Sequence, residues 1–155
     1  MDSYKIYQSK ADKHIKTAEH LLTVTLPLIK DQKLIPAAIE NMFLALENTI
    51  TALLEFELLY KKIPPFQDNF DSKFNMLRAK LIPQLELDES YIKLIEDVKT
   101  IIDEHKKSSF KFTKDEMVIS SEGFRFKTLN NAQIKEMINK TKDFISEIDK
   151  ILIQK

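Results

Sequence analysis

LIPAAIENMFLALENTITALLEFELLYKK, residues 34–62, carries the strongest structural signal in this chain of 155 residues. Ala38, Met42, Ala45, Thr49, Ala52, Phe56 and Leu59 recur every three or four positions and make one apolar seam. Ile39, Phe43, Leu46, Ile50, Leu53 and Tyr60 make a second seam beside it. Residues three and four apart share a face of an α-helix, so two adjoining seams give a helix that is apolar over most of its circumference. Such a helix must touch several neighbours at once. It is therefore the predicted centre of a bundle, with Phe43, Leu46, Ile50 and Leu53 as central core residues. Glu40, Asn41, Glu47, Asn48, Thr51 and Glu55 occupy the remaining arc. Ala38, Ala45 and Ala52, seven residues apart, leave room for close approach of another helix. Ile63-Pro64-Pro65 ends the element, because proline has no N–H and restrains the residue before it.

Towards the N-terminus, Ala11, Ile15, Ala18, Leu22, Thr25 and Ile29 form a helical stripe over residues 4–30, widened by His14, Leu21 and Leu28. Pro27 is expected to kink that helix or end it early. Towards the C-terminus, Phe70, Phe74, Leu77 and Leu81 predict a third helix that starts at Asp68 or Asp71, with an aspartate as cap, and is closed by Pro83. A fourth covers residues 89–106 after Asp88 as cap, with Tyr91, Leu94, Ile95, Val98, Ile101 and Ile102 inward. The last follows Asn130 or Asn131 as cap and turns Ile134, Met137, Ile138, Thr141, Phe144, Ile145, Ile148, Ile151 and Leu152 to the core. Before it the period changes to alternation. Met117–Ser120 and Phe124–Lys127 read as two strands joined across Ser121-Glu122-Gly123, where the chain's one glycine suits a turn that needs positive φ. The predicted fold is all-α, an up-and-down helical bundle of about five helices with a small β-hairpin before the last helix, in a single domain over residues 1–155.

Composition agrees with that reading. Hydrophobic residues make up 43% of the chain and charged residues 31%, a mixture that supports a packed core and excludes a disordered chain. A formal net charge of zero removes a global electrostatic footprint for nucleic acid or anionic lipid. The absence of cysteine removes disulfides and thiolate metal sites. No apolar run reaches the ~18 residues of a membrane span, and Met1-Asp2-Ser3-Tyr4-Lys5 lacks the layout of a signal peptide. A cytoplasmic protein that makes no membrane contact is expected.

Candidate chemistry is sparse. His14 and His20 lie six apart, about 120° from superposition on a helix, and do not make a metal pair. Glu40, Glu47, Glu55 and Glu57 lack the Glu-x-x-His partner that helical metal centres add, so they read as a solvated stripe, with Glu47 the one carboxylate set among apolar neighbours. No glycine-rich phosphate loop is present. These residues give no catalytic, cofactor or metal assignment. The remaining candidate is a local basic cluster interleaved with aromatics: Lys106, Lys107, Lys111 and Lys114 around Phe110 and Phe112, joined by Arg125 and Lys127 around Phe126. Lysines neutralise phosphates and exposed rings stack on unpaired bases, so these six cations are the candidate nucleic-acid contacts. The competing reading has the phenylalanines cover the end of the bundle while the lysines stay in water, and Asp115, Glu116 and Glu122 dilute the positive field.

Ala37-Ala38-Ile39 followed by Ala45-Leu46-Glu47-Asn48-Thr49-Ile50-Thr51-Ala52-Leu53-Leu54 resembles the second helix of HEPN-domain proteins, and the first helix, with Ala11, Ala18, Leu21 and Leu22, is similar to their opening helix. The resemblance covers most of the chain. It implies a helical bundle that often dimerises; members include ribonucleases of toxin–antitoxin, defence and RNA-processing systems and partners of nucleotidyltransferases. The catalytic members place an arginine shortly before a histidine, about four to six residues apart. Here the arginines are Arg78 and Arg125, no histidine follows Arg125, and His105 lies far beyond that spacing from Arg78. The resemblance therefore implies a non-catalytic interaction module, a homo-oligomer or a partner of a nucleotidyltransferase or similar protein. The alternatives are a single-stranded nucleic-acid-binding protein that uses residues 106–127 and a HEPN-type ribonuclease with displaced catalytic residues.

Overall fold

The computed structural model describes residues 2–107, 111–112, 116–118 and 128–153. α3 (Leu34–Leu59) takes the central position its two seams require. Between residues 34 and 58 only Glu40 is exposed, because neighbours of the same chain cover the helix on nearly every side. α1 (Ser3–His20) runs antiparallel along it: Tyr4 meets Phe56 edge-on with ring centroids 5.1 Å apart, and farther along His14 meets Asn41. α7 (Asn131–Ile153) runs antiparallel to α1 and is tied to it by Gln8 Nε2 donating to Asp149 Oδ1 at 2.8 Å and by the Lys142–Glu19 ion pair at 2.8 Å. α6 (Ser90–Lys107) packs against α3 and α7, its Tyr91 ring 4.9 Å from that of Phe144. α4 (Phe70–Met76) reaches α3 through Phe70 and Phe43, ring centroids 5.2 Å apart. One connected core draws residues from each of these helices. Among the described residues no helix is long and apolar enough to cross a membrane.

Pro27 and Pro83 each lie inside a longer helical rod, so Pro83 does not close its helix at the predicted place and Pro27 distorts its helix without stopping it. α1 continues through a π turn, Leu21–Thr25, into α2 (Leu26–Ile29); α4 continues through a π turn, Leu77–Leu81, into α5 (Ile82–Gln84). A proline at position i has no N–H for the carbonyl at i−4, and its ring strikes that carbonyl. The wider turn relieves both problems, with the Leu26 N–H reaching the Leu21 carbonyl and the Ile82 N–H reaching the Leu77 carbonyl, five residues back. The cost falls on the predicted stripe. Leu26 is buried in place of Thr25, which is only half-buried, while Leu28 and Ile29 are 78% and 63% exposed. Three of the helical rods then close on left-handed residues that are not glycine, Lys30, Lys61 and Glu86, with φ of 60°, 57° and 54°.

Caps follow short-range polar chemistry. α4 starts on Asn69, not on Asp68 or Asp71: the Asn69 side chain accepts the Ser72 N–H at 2.8 Å, while Asp68 pairs with the buried Lys73 at 2.7 Å. Asp88 Oδ1 accepts the Ser90 N–H at 2.8 Å at the start of α6. Asn130 and Gln133 make a reciprocal capping box at α7: Asn130 Oδ1 accepts the Gln133 N–H at 2.8 Å and Gln133 Oε1 accepts the Asn130 N–H at 2.9 Å. The Lys73 ammonium holds the Asp68 carboxyl below the usual range, and the Ser90 backbone N–H does the same for Asp88. A carboxyl lowered in the folded state adds stability that is present above its unfolded value, ~3.9, and is lost as pH falls through its folded value. The melting temperature should therefore drop as pH falls below about 4. Asp88→Asn should flatten that part of a pH series read by circular dichroism.

Among the described residues the small β element has three strands, in the order β1 (Lys111–Phe112), β2 (Glu116–Val118), β3 (Thr128–Asn130), all antiparallel. β2 pairs with β3 in the register Met117 with Leu129 and Val118 with Thr128, and both Met117 and Leu129 are buried. A hairpin before the last helix is present, but the described strand that pairs with β2 is residues 128–130. The predicted turn at Gly123 and the strand Phe124–Lys127 lie outside the described residues. Two further expectations change. Phe43 is half-buried, leaving Leu46, Ile50 and Leu53 as the buried centre, and Leu59 and Tyr60, predicted in the seams, are exposed.

Candidate functional site

Of the six cations predicted to contact nucleic acid, Lys106 and Lys107 are exposed in the last turn of α6, where positive charge complements the helix dipole. Lys107 Nζ lies 3.8 Å from Glu104 Oε1, a loose contact that leaves the ammonium in water. Lys111 belongs to β1, its backbone paired with Val118, and its side chain is not among those described. Lys114, Arg125 and Lys127 lie outside the described residues, as do Phe110 and Phe126. The described part of the cluster is thus a lysine pair at the end of α6.

The histidines stay apart from one another. Asn41 Nδ2 donates to the Ala37 carbonyl at 2.9 Å, which turns its oxygen towards His14; His14 Nδ1 therefore donates to Asn41 Oδ1 at 3.0 Å. His20 and His105 are exposed in the last turns of α1 and α6. Along α3, Glu40 is exposed, Glu47 half-buried, and Glu55 accepts from Ser3 Oγ at 3.2 Å. Glu57 is the buried carboxylate, so the deepest acid on this helix is a different one from the Glu47 singled out by its neighbours in sequence. No group of three or more His, Asp or Glu among the described residues could hold a metal ion.

Among the described residues, α7 is flanked by a cleft on two sides. The larger, about 340 Å³, lies between α6 and α7, with an apolar floor of Leu94, Met137 and Leu129 and a rim that includes Lys93, Lys140, Asp97 and Glu136. Its size is at the low end for small-molecule sites, and its charges alternate in sign along both helices. Lys140 Nζ lies 5.5 Å from the centroid of the Tyr91 ring, whose hydroxyl is pushed above its ordinary value first by burial and then by Glu147, Asp143 and Asp88. The smaller cleft, about 290 Å³, runs between α1 and α7 and is crossed by the Lys142–Glu19 ion pair.

The feature that sequence reasoning missed is the tip of the first rod. Val24, Leu28 and Ile29 are 42%, 78% and 63% exposed within six residues, next to exposed Lys30 and Lys33. Helical periodicity places Ile29 in the core stripe, and only the π turn moves it out. Pro27 was the available signal for that displacement. No protein-family model, curated protein or solved structure matches the chain.

Proposed function

We propose that this chain is a non-catalytic, HEPN-like helical interaction module that pairs with a second copy of itself or with a partner protein such as a nucleotidyltransferase. The observation that carries the reading is the aliphatic tip Val24–Leu28–Ile29, set at one end of a bundle whose central helix is already covered by its own chain. The apolar arc of α3 is used internally. The tip offers a partner three exposed aliphatic side chains close together in sequence, whereas Ile6, Leu59, Tyr60 and Ile153 are exposed elsewhere. An exposed apolar patch favours burial against a second surface, and each large aliphatic side chain so buried contributes roughly 1.5–3 kcal/mol. In sedimentation at micromolar concentration the protein should associate, and Leu28→Lys should weaken that association by about tenfold or more while leaving the melting temperature unchanged. A clean monomer that also retains no host protein in a pull-down removes the reading. A nucleotidyltransferase encoded next to this chain would favour the partner role and a toxin–antitoxin setting.

A second reading has the lysine pair Lys106 and Lys107 open a contact for single-stranded RNA, continued by Lys111, Lys114, Arg125 and Lys127. Binding would weaken with salt and with Lys111→Glu or Lys127→Glu, and no binding at low salt would end it.

A further inference from the structure

The first rod is asked for two different helix registers. Its apolar spacing continues in α geometry from Ala11, Ile15, Ala18 and Leu22 to Thr25 and Ile29. Pro27 disfavours that continuation, because it has no N–H for the Thr23 carbonyl and its ring collides there. The π turn satisfies the proline and, by inserting one residue, rotates the rest of the rod by about 100°. Leu26 takes the buried place and Ile29 leaves it. The apolar area gained at one residue roughly matches that lost at the other, so burial alone hardly separates the two registers.

The α4–α5 rod provides an internal comparison. It has the same order of parts: a π turn over Leu77–Leu81, Ile82 bonded five residues back, Pro83, and a left-handed residue, Glu86, three positions after the proline, as Lys30 follows Pro27. In that rod the residue after the proline is exposed Gln84 and the next, Leu85, packs partly buried against the core. The ending therefore does not force aliphatic side chains into water. In the first rod the two equivalent positions hold Leu28 and Ile29, both exposed.

We infer that the tail of the first rod is a two-register element, in which Pro27 holds the π register and keeps Ile29 outside, against an α register that would bury Thr25 and Ile29 and release Leu26. Such an element sets how much aliphatic surface the protein presents, through one backbone hydrogen bond. The chain contains no cysteine, so single substitutions report on it cleanly by their rate of reaction with a thiol reagent such as 5,5′-dithiobis(2-nitrobenzoate). In the full chain, the Ile29→Cys protein should react at least about tenfold faster than the Leu26→Cys protein. Adding Pro27→Ala should reverse that order, slowing reaction at 29 and speeding it at 26. Thr25→Cys gives a second reporter should Leu26→Cys fail to fold, and Pro27→Ala should slow it. Unchanged rates would overturn the inference. So would acceleration at every position, which means fraying, or the same reversal with Pro83→Ala, which means general softening. The rates are read with no partner present, so this outcome stands apart from the docking reading, which Leu28→Lys tests.

Discussion

Leu46→Ala should lower the free energy of unfolding by about 2–5 kcal/mol. Leu46 is fully buried in the middle of α3, in contact with a core drawn from every helix, so the space left by its side chain has no single neighbour free to move in. The loss combines transfer of the removed methyl and methylene groups with the residual cavity. A domain of this kind has only ~5–15 kcal/mol in total, and for its size each kcal/mol moves the melting point by roughly 2–4 °C. A drop of roughly 4–20 °C in a circular-dichroism melt is therefore expected. Leu46→Met keeps the volume and should cost less than about 1.5 kcal/mol. Lys107→Ala, at an exposed position, should stay within about 0.5 kcal/mol of the parent. If Leu46→Ala melted like the parent, α3 would not be the centre of the fold.

Phe144→Ala should cost more, about 3–5 kcal/mol, and should act on a particular joint. Phe144 is the largest of the fully buried side chains among the described residues, and its ring joins α7 to the Tyr91 ring at the start of α6, 4.9 Å away. A ring pair of this geometry contributes ~0.5–1.5 kcal/mol beyond the area it buries. Removing it admits water beside Tyr91, whose hydroxyl is pushed up chiefly by burial. Amides in the first turns of α6 should therefore lose hydrogen-exchange protection before those of α3. Tyr91 should also titrate closer to its ordinary value of ~10 in the variant than in the parent. An unmoved Tyr91 titration would mean that its burial comes from elsewhere.

How far the sequence was legible depends on the range of the forces involved. α3 could be read because its evidence is a repeated period, and every turn of the helix restates it. Leu46, Ile50 and Leu53 are where that period puts them. The caps at Asp88 and Asn130 were legible because they are contacts between residues two or three apart. Asn69 is hard to pick out from its aspartate neighbours, since all three side chains can accept a hydrogen bond. Lys73 decides among them by drawing Asp68 away. The π turns are hidden because proline reads as a stop, although a helix can widen by one residue and continue. Everything after Leu22 in the first rod then falls one place out of phase, and this conceals the exposed tip. β3 is hidden because Thr-Leu-Asn is too short to show alternation, and it is identified only by its pairing with β2.

The close pairing of α1 with α7 has a consequence for how the protein is made. Gln8 meets Asp149, and Glu19 meets Lys142, so the central helix's first neighbour is held by α7, which is synthesised after every other described element. Translation proceeds at ~5–20 residues per second, so the 94 residues from Leu59 to Ile153 take roughly 5–20 s. Antiparallel neighbours such as α1 and α3 can associate in far less time than that. For those seconds the nascent chain carries a finished two-helix hairpin whose apolar flank has nothing to rest on. The flank that α7 covers is bare on the ribosome until α7 emerges, and it is there that a chaperone at the tunnel exit would find its grip.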